Sequence, residues 1–358
     1  MAQNIIVIGA GIIGASAAYH LQKSGAQVTV LDAGAAAATD ASFGWINASF
    51  FLDAEHFRLR VEGIKAYRAL GRELDLPVSW SGCLCFETSG AAFDEQAQGL
   101  SDLGYPFEEI DAKAFSALVP QVANPPARCL KFEQEGAAES GALAVHLLTA
   151  ATNLGARLIR GVAAIGFETK GGAVVGVRTT AGILSADQVI SAVGTASEAL
   201  MAQVDIKLPL LQRPAVMMKT RPVPFALNHI LVSDLGELRQ LPDGGLMMPA
   251  AIGHQSDSSE TIGATIDVEA DQALARLQAM LPDFPLDWEQ VQLAHRPMPA
   301  DGLPVVGAAT DGLYVACMHS GITLGALMGA QIAIEVRKGP TNETTQRLAP
   351  YRPARFAK

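Results

Sequence analysis

Asn4-Ile5-Ile6-Val7-Ile8-Gly9-Ala10-Gly11-Ile12-Ile13-Gly14 is an apolar run that breaks directly into a glycine turn. A helix-compatible stretch from Ala15 to Ser24 follows, then Gly25 and a second apolar run, Val28-Thr29-Val30-Leu31, ending at Asp32. The order is strand, glycine turn, helix, strand, acid. Asp32 falls 23 residues after Gly9, close to the spacing of the dinucleotide fingerprint. Gly9 allows the tight turn, Gly11 lets the backbone approach a pyrophosphate, and Gly14 lets the helix pack on the strand. The helix N-terminus offers N–H groups and partial positive charge to phosphates. Asp32 can accept from a ribose diol and would repel a 2′-phosphate, which argues against NADP. Three glycines alone would fit an ordinary βαβ turn. The strand, helix, second strand and acid in register favour a dinucleotide, and the rest of the chain must say whether it is NAD or FAD.

The chain has 358 residues, enough for two domains. Its composition, with 49% hydrophobic residues and 17% charged, is that of a compact soluble globule. A net charge of −10 disfavours nucleic acid or an anionic membrane as partner, since both need a basic surface. Cys83, Cys85, Cys129 and Cys317 lack metal-ligand spacing, and Cys83-Leu84-Cys85 is CxC rather than CxxC, so they read as structural thiols and no metal is expected. The first strand begins at residue 4, which leaves no room for a signal peptide, and no apolar run reaches transmembrane length. A cytoplasmic location is the expectation.

Beyond Asp32 a run of small residues and hydroxyls, Ala33 to Gly44, lets the backbone lie against something bulky and flat, and Trp45-Ile46-Asn47 should pack. Phe57, Val61, Ile64, Tyr67, Leu70 and Leu74 repeat at helical spacing, which predicts a helix from Glu55 to Leu74. Ser140 to Leu154 is a second helix, stopped by Gly155. Strands are expected at Ala156–Ile159, Val162–Glu168 and Val174–Thr179, and again at Gln188-Val189-Ile190-Ser191-Ala192-Val193-Gly194. The last ends in small residues, as a sheet needs where a cofactor crosses its edge. Residues 209–268 look antiparallel, with strands at Val216–Thr220, Ile230–Val232, Leu238–Leu241, Leu246–Met248 and Thr261–Ile266 and a helix from Ala270. A strand from Leu313 to Cys317, a turn Met318-His319-Ser320-Gly321 and a closing helix from Ile322 to Arg337 end the pattern.

Arg296-Pro297-x-x-x-Asp301-Gly302-x-Pro304-x-x-Gly307, followed by His319-Ser320-Gly321-Ile322-Thr323, is more specific than the N-terminal turn. With Val189 to Gly194 and the opening fingerprint, it resembles the D-amino-acid oxidase family of FAD-dependent amine oxidoreductases, which includes glycine oxidase and sarcosine oxidase. The resemblance implies an α/β plus antiparallel-β fold. Residues 1–75, 140–208 and 299–358 would form a discontinuous Rossmann-like FAD-binding domain, and 76–139 with 209–298 an inserted α+β substrate domain. It implies that Gly9, Gly11 and Gly14 face the pyrophosphate and Asp32 the adenosine ribose. Thr39, Ser42, Gly44 and Trp45 would follow the pyrophosphate, and Val162 would meet the adenine through its backbone. Ala192 and Gly194 would line the adenosine side, and His319, Ser320, Gly321, Ile322 and Thr323 would cover the flavin end. Arg296 matches the family arginine that binds the substrate carboxylate, a task suited to a planar guanidinium. His319 is a second candidate at the substrate, and Arg239 and Gln240 are weaker ones.

The implied reaction is hydride transfer from the α-carbon of a small amino or imino acid to flavin, giving an imine that water hydrolyses. Such a substrate could be a D-amino acid, glycine, or an N-methyl or proline-like compound. Sarcosine oxidase-like members use a lysine for oxygen and a cysteine for covalent flavin. Here no lysine occurs between Lys219 and Lys338, and Cys317 precedes the turn, so the implied FAD is non-covalent and the electron acceptor is O2 or another carrier. A hydroxy acid or polyamine derivative as substrate, or a non-catalytic FAD-binding subunit, are the rival readings.

Overall fold

The computed structural model describes residues 2–253 and 258–357. Ile5, Ile6, Val7 and Ile8 are all buried, because the strand Asn4–Ile8 lies inside a six-stranded sheet covered on both faces. A continuous apolar run is what such a strand requires. In spatial order the sheet is Val305–Thr310, Leu313–Cys317, Gln188–Ser191, Asn4–Ile8, Gln27–Asp32 and Arg157–Arg160. Five strands are parallel, and only the edge strand Val305–Thr310 runs antiparallel. Segments from the beginning, middle and end of the chain therefore share one sheet.

The first helix, Ile12–Lys23, packs on the closing helix, Gly321–Lys338. The approach is close because the facing residues are small: side chains at Gly325 or Gly329 would collide with Ile12 or Ser16. The helix Ala54–Leu70 flanks the closing helix, and Gly63 leaves room there for the Thr323 carbonyl. It starts where Asp53 accepts from the His56 N–H at 2.7 Å and ends at Leu70, short of the expected Leu74.

An eight-stranded sheet forms the second layer system, in the order Trp288–His295, Pro214–Thr220, Leu246–Pro249, Gly236–Gln240, Ile230–Ser233, Cys83–Phe86, Arg128–Phe132, Glu108–Asp111. Ile230–Ser233 pairs in parallel with Cys83–Phe86, and the other pairings are antiparallel, so the sheet is mixed. That one parallel contact joins two stretches far apart in sequence. The helix Ile266–Met280 covers the sheet, and its buried Ala270, Ala273, Leu277 and Met280 share a core with Val216, Met218 and Leu231.

This is a mixed α/β fold in which a discontinuous Rossmann-like domain carries a β-rich insertion. One expected strand is missing and one unexpected strand is present. The strand expected at Thr261–Ile266 is absent: Gly263 and Ala264 N–H groups both donate to Glu269 Oε1 at 3.1 Å, which turns the chain into the helix. Residues 288–295 form a strand that periodicity does not announce, because it lies at the sheet edge with no residue but partly or fully exposed ones.

All four cysteines are buried free thiols. Burial pushes Cys85 up to about 12 and Cys317 up to about 11, so neither is a ready nucleophile. Among the described residues, no helix is long and apolar enough to cross a membrane. No group of three or more His, Cys, Asp or Glu is placed to hold a metal ion among them either.

Candidate active site

The glycine turn after Ile8 opens onto a cavity of about 690 Å³. Its walls come from Gly9, Gly11, Asp32, Thr39, Ser42, Gly44, Trp45, Val162, Ala192 and Gly194, and further along from Arg296 and His319 to Thr323. The volume is in the range of pockets that hold cofactors and small ligands. Gly14 is not part of the wall. It lies beneath the turn, where any Cβ would run into the Gly9 carbonyl, so it serves the packing of helix on strand.

At one end Asp32 terminates its strand, accepts from Gly34 N–H at 2.9 Å, and lies 4.0 Å from the Arg160 guanidinium. The Val162 N–H is turned to the Asp32 carbonyl at 3.2 Å. Thr39 reaches across to the first helix, where its hydroxyl accepts from Ile12 N–H at 3.1 Å. The helix N-cap is Gly11, which has no side chain for that job. Ser42 Oγ accepts from Gly44 N–H at 3.1 Å. Gly44 has φ +84° and lies so close to the Ala138 carbonyl that a Cβ has no room. These small residues let the chain from 39 to 45 follow the cavity closely.

The wall then rises over the closing helix. Thr323 donates to the Trp45 carbonyl and accepts from Asn47 N–H, both at 3.3 Å. Behind it lies a buried polar network that sequence reasoning missed. Glu135 is fully buried and accepts from Trp45 Nε1, Ala48 N–H, Ser49 N–H and the Tyr105 hydroxyl, at 2.8–3.0 Å. Burial pushes its carboxyl up, and these hydrogen bonds oppose that. Arg60, which lines the cavity, donates to the Asn47 carbonyl at 3.0 Å and to Asn47 Oδ1 at 2.5 Å. Burial brings its guanidinium down to about 10, and the charge on Glu135 works the other way. The only sequence hint was the bulk of Trp45-Ile46-Asn47. Glu135 in Phe132-Glu133-Gln134-Glu135-Gly136 reads like a solvated turn.

At the far end Arg296 is 7% exposed, at the point where the chain leaves the strand Trp288–His295. Its backbone N–H donates to the Arg213 carbonyl at 2.8 Å, and Nη2 donates to the Pro214 carbonyl at 3.4 Å. The apolar Ala215, Met217, Ala294 and Met318 line the same cavity as Arg296 and His319. Arg239 and Gln240 lie outside the cavity wall. Arg239 is a clamp between layers: Nε donates to the Phe43 carbonyl and Nη1 to Glu139, each at 2.5 Å. Gln240 closes its own loop, with bonds to Leu227, Phe225 and Gly244.

The residues present fit FAD. Two helix N-termini, at Gly11–Ile12 and at Ser320–Gly321, open on one cavity whose wall also holds the acid Asp32 and the buried Arg296. Fold and site together define a flavoprotein oxidoreductase. Residues 4–333 match the family model of the FAD dependent oxidoreductases (DAO), and the chain belongs to that family.

Among its relatives is the "Uncharacterized oxidoreductase YurR" of Bacillus subtilis, 28% identical over 98% of this chain and 99% of that protein. A D-amino acid dehydrogenase of Cereibacter sphaeroides is 27% identical over 91% of this chain and 89% of its own length. Among solved structures, the L-proline dehydrogenase of P. horikoshii superposes with a TM-score of 0.85 at 20% identity, covering 99% of this chain and 98% of the other.

Proposed function

We propose that this FAD-dependent oxidoreductase oxidises the C–N bond of a small amino or imino acid. The observation that carries the reading is the nearly buried guanidinium of Arg296 in the wall of the cavity that opens at the glycine turn. The names of the D-amino acid dehydrogenase and L-proline dehydrogenase relatives support the substrate class. Residues 1–75, 140–208 and 299–358 would hold FAD, and 76–139 with 209–298 would form the substrate side. The Gly9–Gly11 turn would receive the pyrophosphate, Asp32 the ribose, and residues 319–323 the flavin end.

Bound FAD, held without a covalent link, supplies the acceptor for a hydride leaving the substrate α-carbon. Arg296 takes the substrate carboxylate through paired charge-assisted hydrogen bonds and so fixes where the α-carbon lies. Ala215, Met217 and Ala294 keep water from that carbon while the bond breaks. A substrate ammonium would give one proton to solvent before it binds, so that loss of the hydride leaves an iminium, which departs and is hydrolysed by water. Turnover would need O2 or another carrier to accept the two electrons.

The test is anaerobic. Purified holoprotein is mixed in turn with D-amino acids, glycine, sarcosine and proline derivatives, and the visible flavin absorbance is followed. Bleaching by at least one is expected, and an unbleached flavin with all of them would sink the proposal. Readmitting air shows whether oxygen restores the colour, and acid precipitation should release the flavin into the supernatant.

A further inference from the structure

Ser320 is the N-cap residue of the closing helix, yet its side chain makes no capping bond. A serine there ordinarily accepts from the N–H two or three residues on, which here belong to Ile322 and Thr323. Instead Ser320 Oγ lies 3.0 Å from Nε2 of His56, on the neighbouring helix Ala54–Leu70. The other ring nitrogen decides which partner donates. Leu52 N–H points at Nδ1 at 3.3 Å, and a backbone N–H can only donate, so Nδ1 carries the lone pair. His56 is 4% exposed, and burial, helped by Arg60, brings it down to about 3. The ring is neutral with its proton on Nε2, and His56 donates to Ser320 Oγ.

We propose that His56 is a positioning residue for the cofactor: by holding Ser320 Oγ it stops the closing helix from capping itself and keeps the Ile322 and Thr323 N–H groups for acceptor atoms of bound FAD. Ser320, Ile322 and Thr323 all line the cavity. The inference rests on the reading that residues 319–323 meet the flavin end of FAD. Without the donor from position 56, Ser320 Oγ is free to rotate onto its own helix and to occupy the groups the ligand needs.

The test titrates apoprotein with FAD, following quenching of flavin fluorescence, for wild type, His56→Leu, Ser320→Ala and the double variant. His56→Leu should weaken FAD binding about 10-fold, the scale of one capping interaction. His56→Gln, which keeps a donor near the ε position, should bind as wild type. Ser320→Ala, with no hydroxyl to cap the helix, sets the affinity against which the double variant is read. The discriminating result is the double variant. Adding Ser320→Ala to His56→Leu should restore affinity to the Ser320→Ala level, which no loss of packing at position 56 would do.

If His56→Leu does not fold, His56→Phe keeps a ring without nitrogens and takes its place in the same comparison. A double variant as weak as His56→Leu, or a His56→Leu protein that binds like wild type, overturns the inference while leaving the FAD reading intact. A wild-type apoprotein that fails to bind FAD overturns both.

Discussion

Arg296 combines two properties that rarely coincide: a permanent charge and a surface that is 7% exposed. The carbonyls of Arg213 and Pro214 accept from the guanidinium and help to hold it at the cavity wall. Removing it should therefore act on substrates by charge. Steady-state kinetics of Arg296→Ala should show kcat/KM for carboxylate substrates down by roughly 30-fold or more, the scale of a lost buried charge-assisted pair. Uncharged amines should be affected much less, and an equal loss on both would remove the role. Beneath the glycine turn, Gly14 has no space for a methyl group. Gly14→Ala should be destabilised by roughly 1–3 kcal/mol, the usual scale of overpacking, with lower FAD content on purification. Thermal melting and the flavin-to-protein absorbance ratio measure both. The sequence motif already marked both residues, because their chemistry is local: a glycine that must be a glycine, and an arginine in a fixed short pattern.

At the scale of elements, the stretch from Trp45 to Ser49 is held from behind. Its Trp45 indole and the Ala48 and Ser49 N–H groups all donate to the Glu135 carboxylate, with Tyr105 as a fourth donor. Glu135→Leu leaves those donors buried without an acceptor. It should lower stability by roughly 3 kcal/mol or more, since each orphaned buried donor costs about 1–3 kcal/mol. Tyr105→Phe removes one donor and keeps the acceptor, so it should be the milder change. Because the same stretch forms the cavity wall, FAD affinity should fall with Glu135→Leu as well as the melting temperature. A protein that loses stability but keeps its FAD affinity would show that the network does not shape the wall. The helix Ala54–Leu70 was readable from its apolar period, whereas Glu135 was not. Its partners lie 30 to 90 residues away, and no periodic pattern connects them.

For the whole molecule, two helical histidines shielded from water, His56 buried and His20 half-buried, make stability depend on pH. Burial brings His20 down to about 4, and its Nε2 has no hydrogen-bond partner; His56 falls to about 3. In the unfolded chain both would titrate near the ordinary 6.5. Below that value the unfolded state binds more protons than the folded one, so stability is present above pH 6.5 and is lost as pH falls toward the folded values. Glu135, pushed upward by burial, works with the opposite sign, so the useful comparison is between wild type and a histidine variant. His20→Leu should reduce the stability lost between about pH 7.5 and pH 5 by roughly 1–2 kcal/mol. Denaturant melts of both proteins at the two pH values give that difference directly.

The sequence by itself determined the βαβ unit at the N-terminus and the helices with an apolar period, and its late motif carried the family resemblance that implied the discontinuous Rossmann-like plan. Each of these is written in short-range patterns: turn glycines, a period of 3.6, and a motif of a dozen residues. Only the tertiary structure decided that Thr39 serves the first helix, that Arg239 clamps two layers, and that Glu135 and Arg60 brace the cavity wall. It also decided that His56 reaches Ser320. A buried polar side chain must find its partner wherever the fold brings one, and that distance in space has no counterpart along the chain.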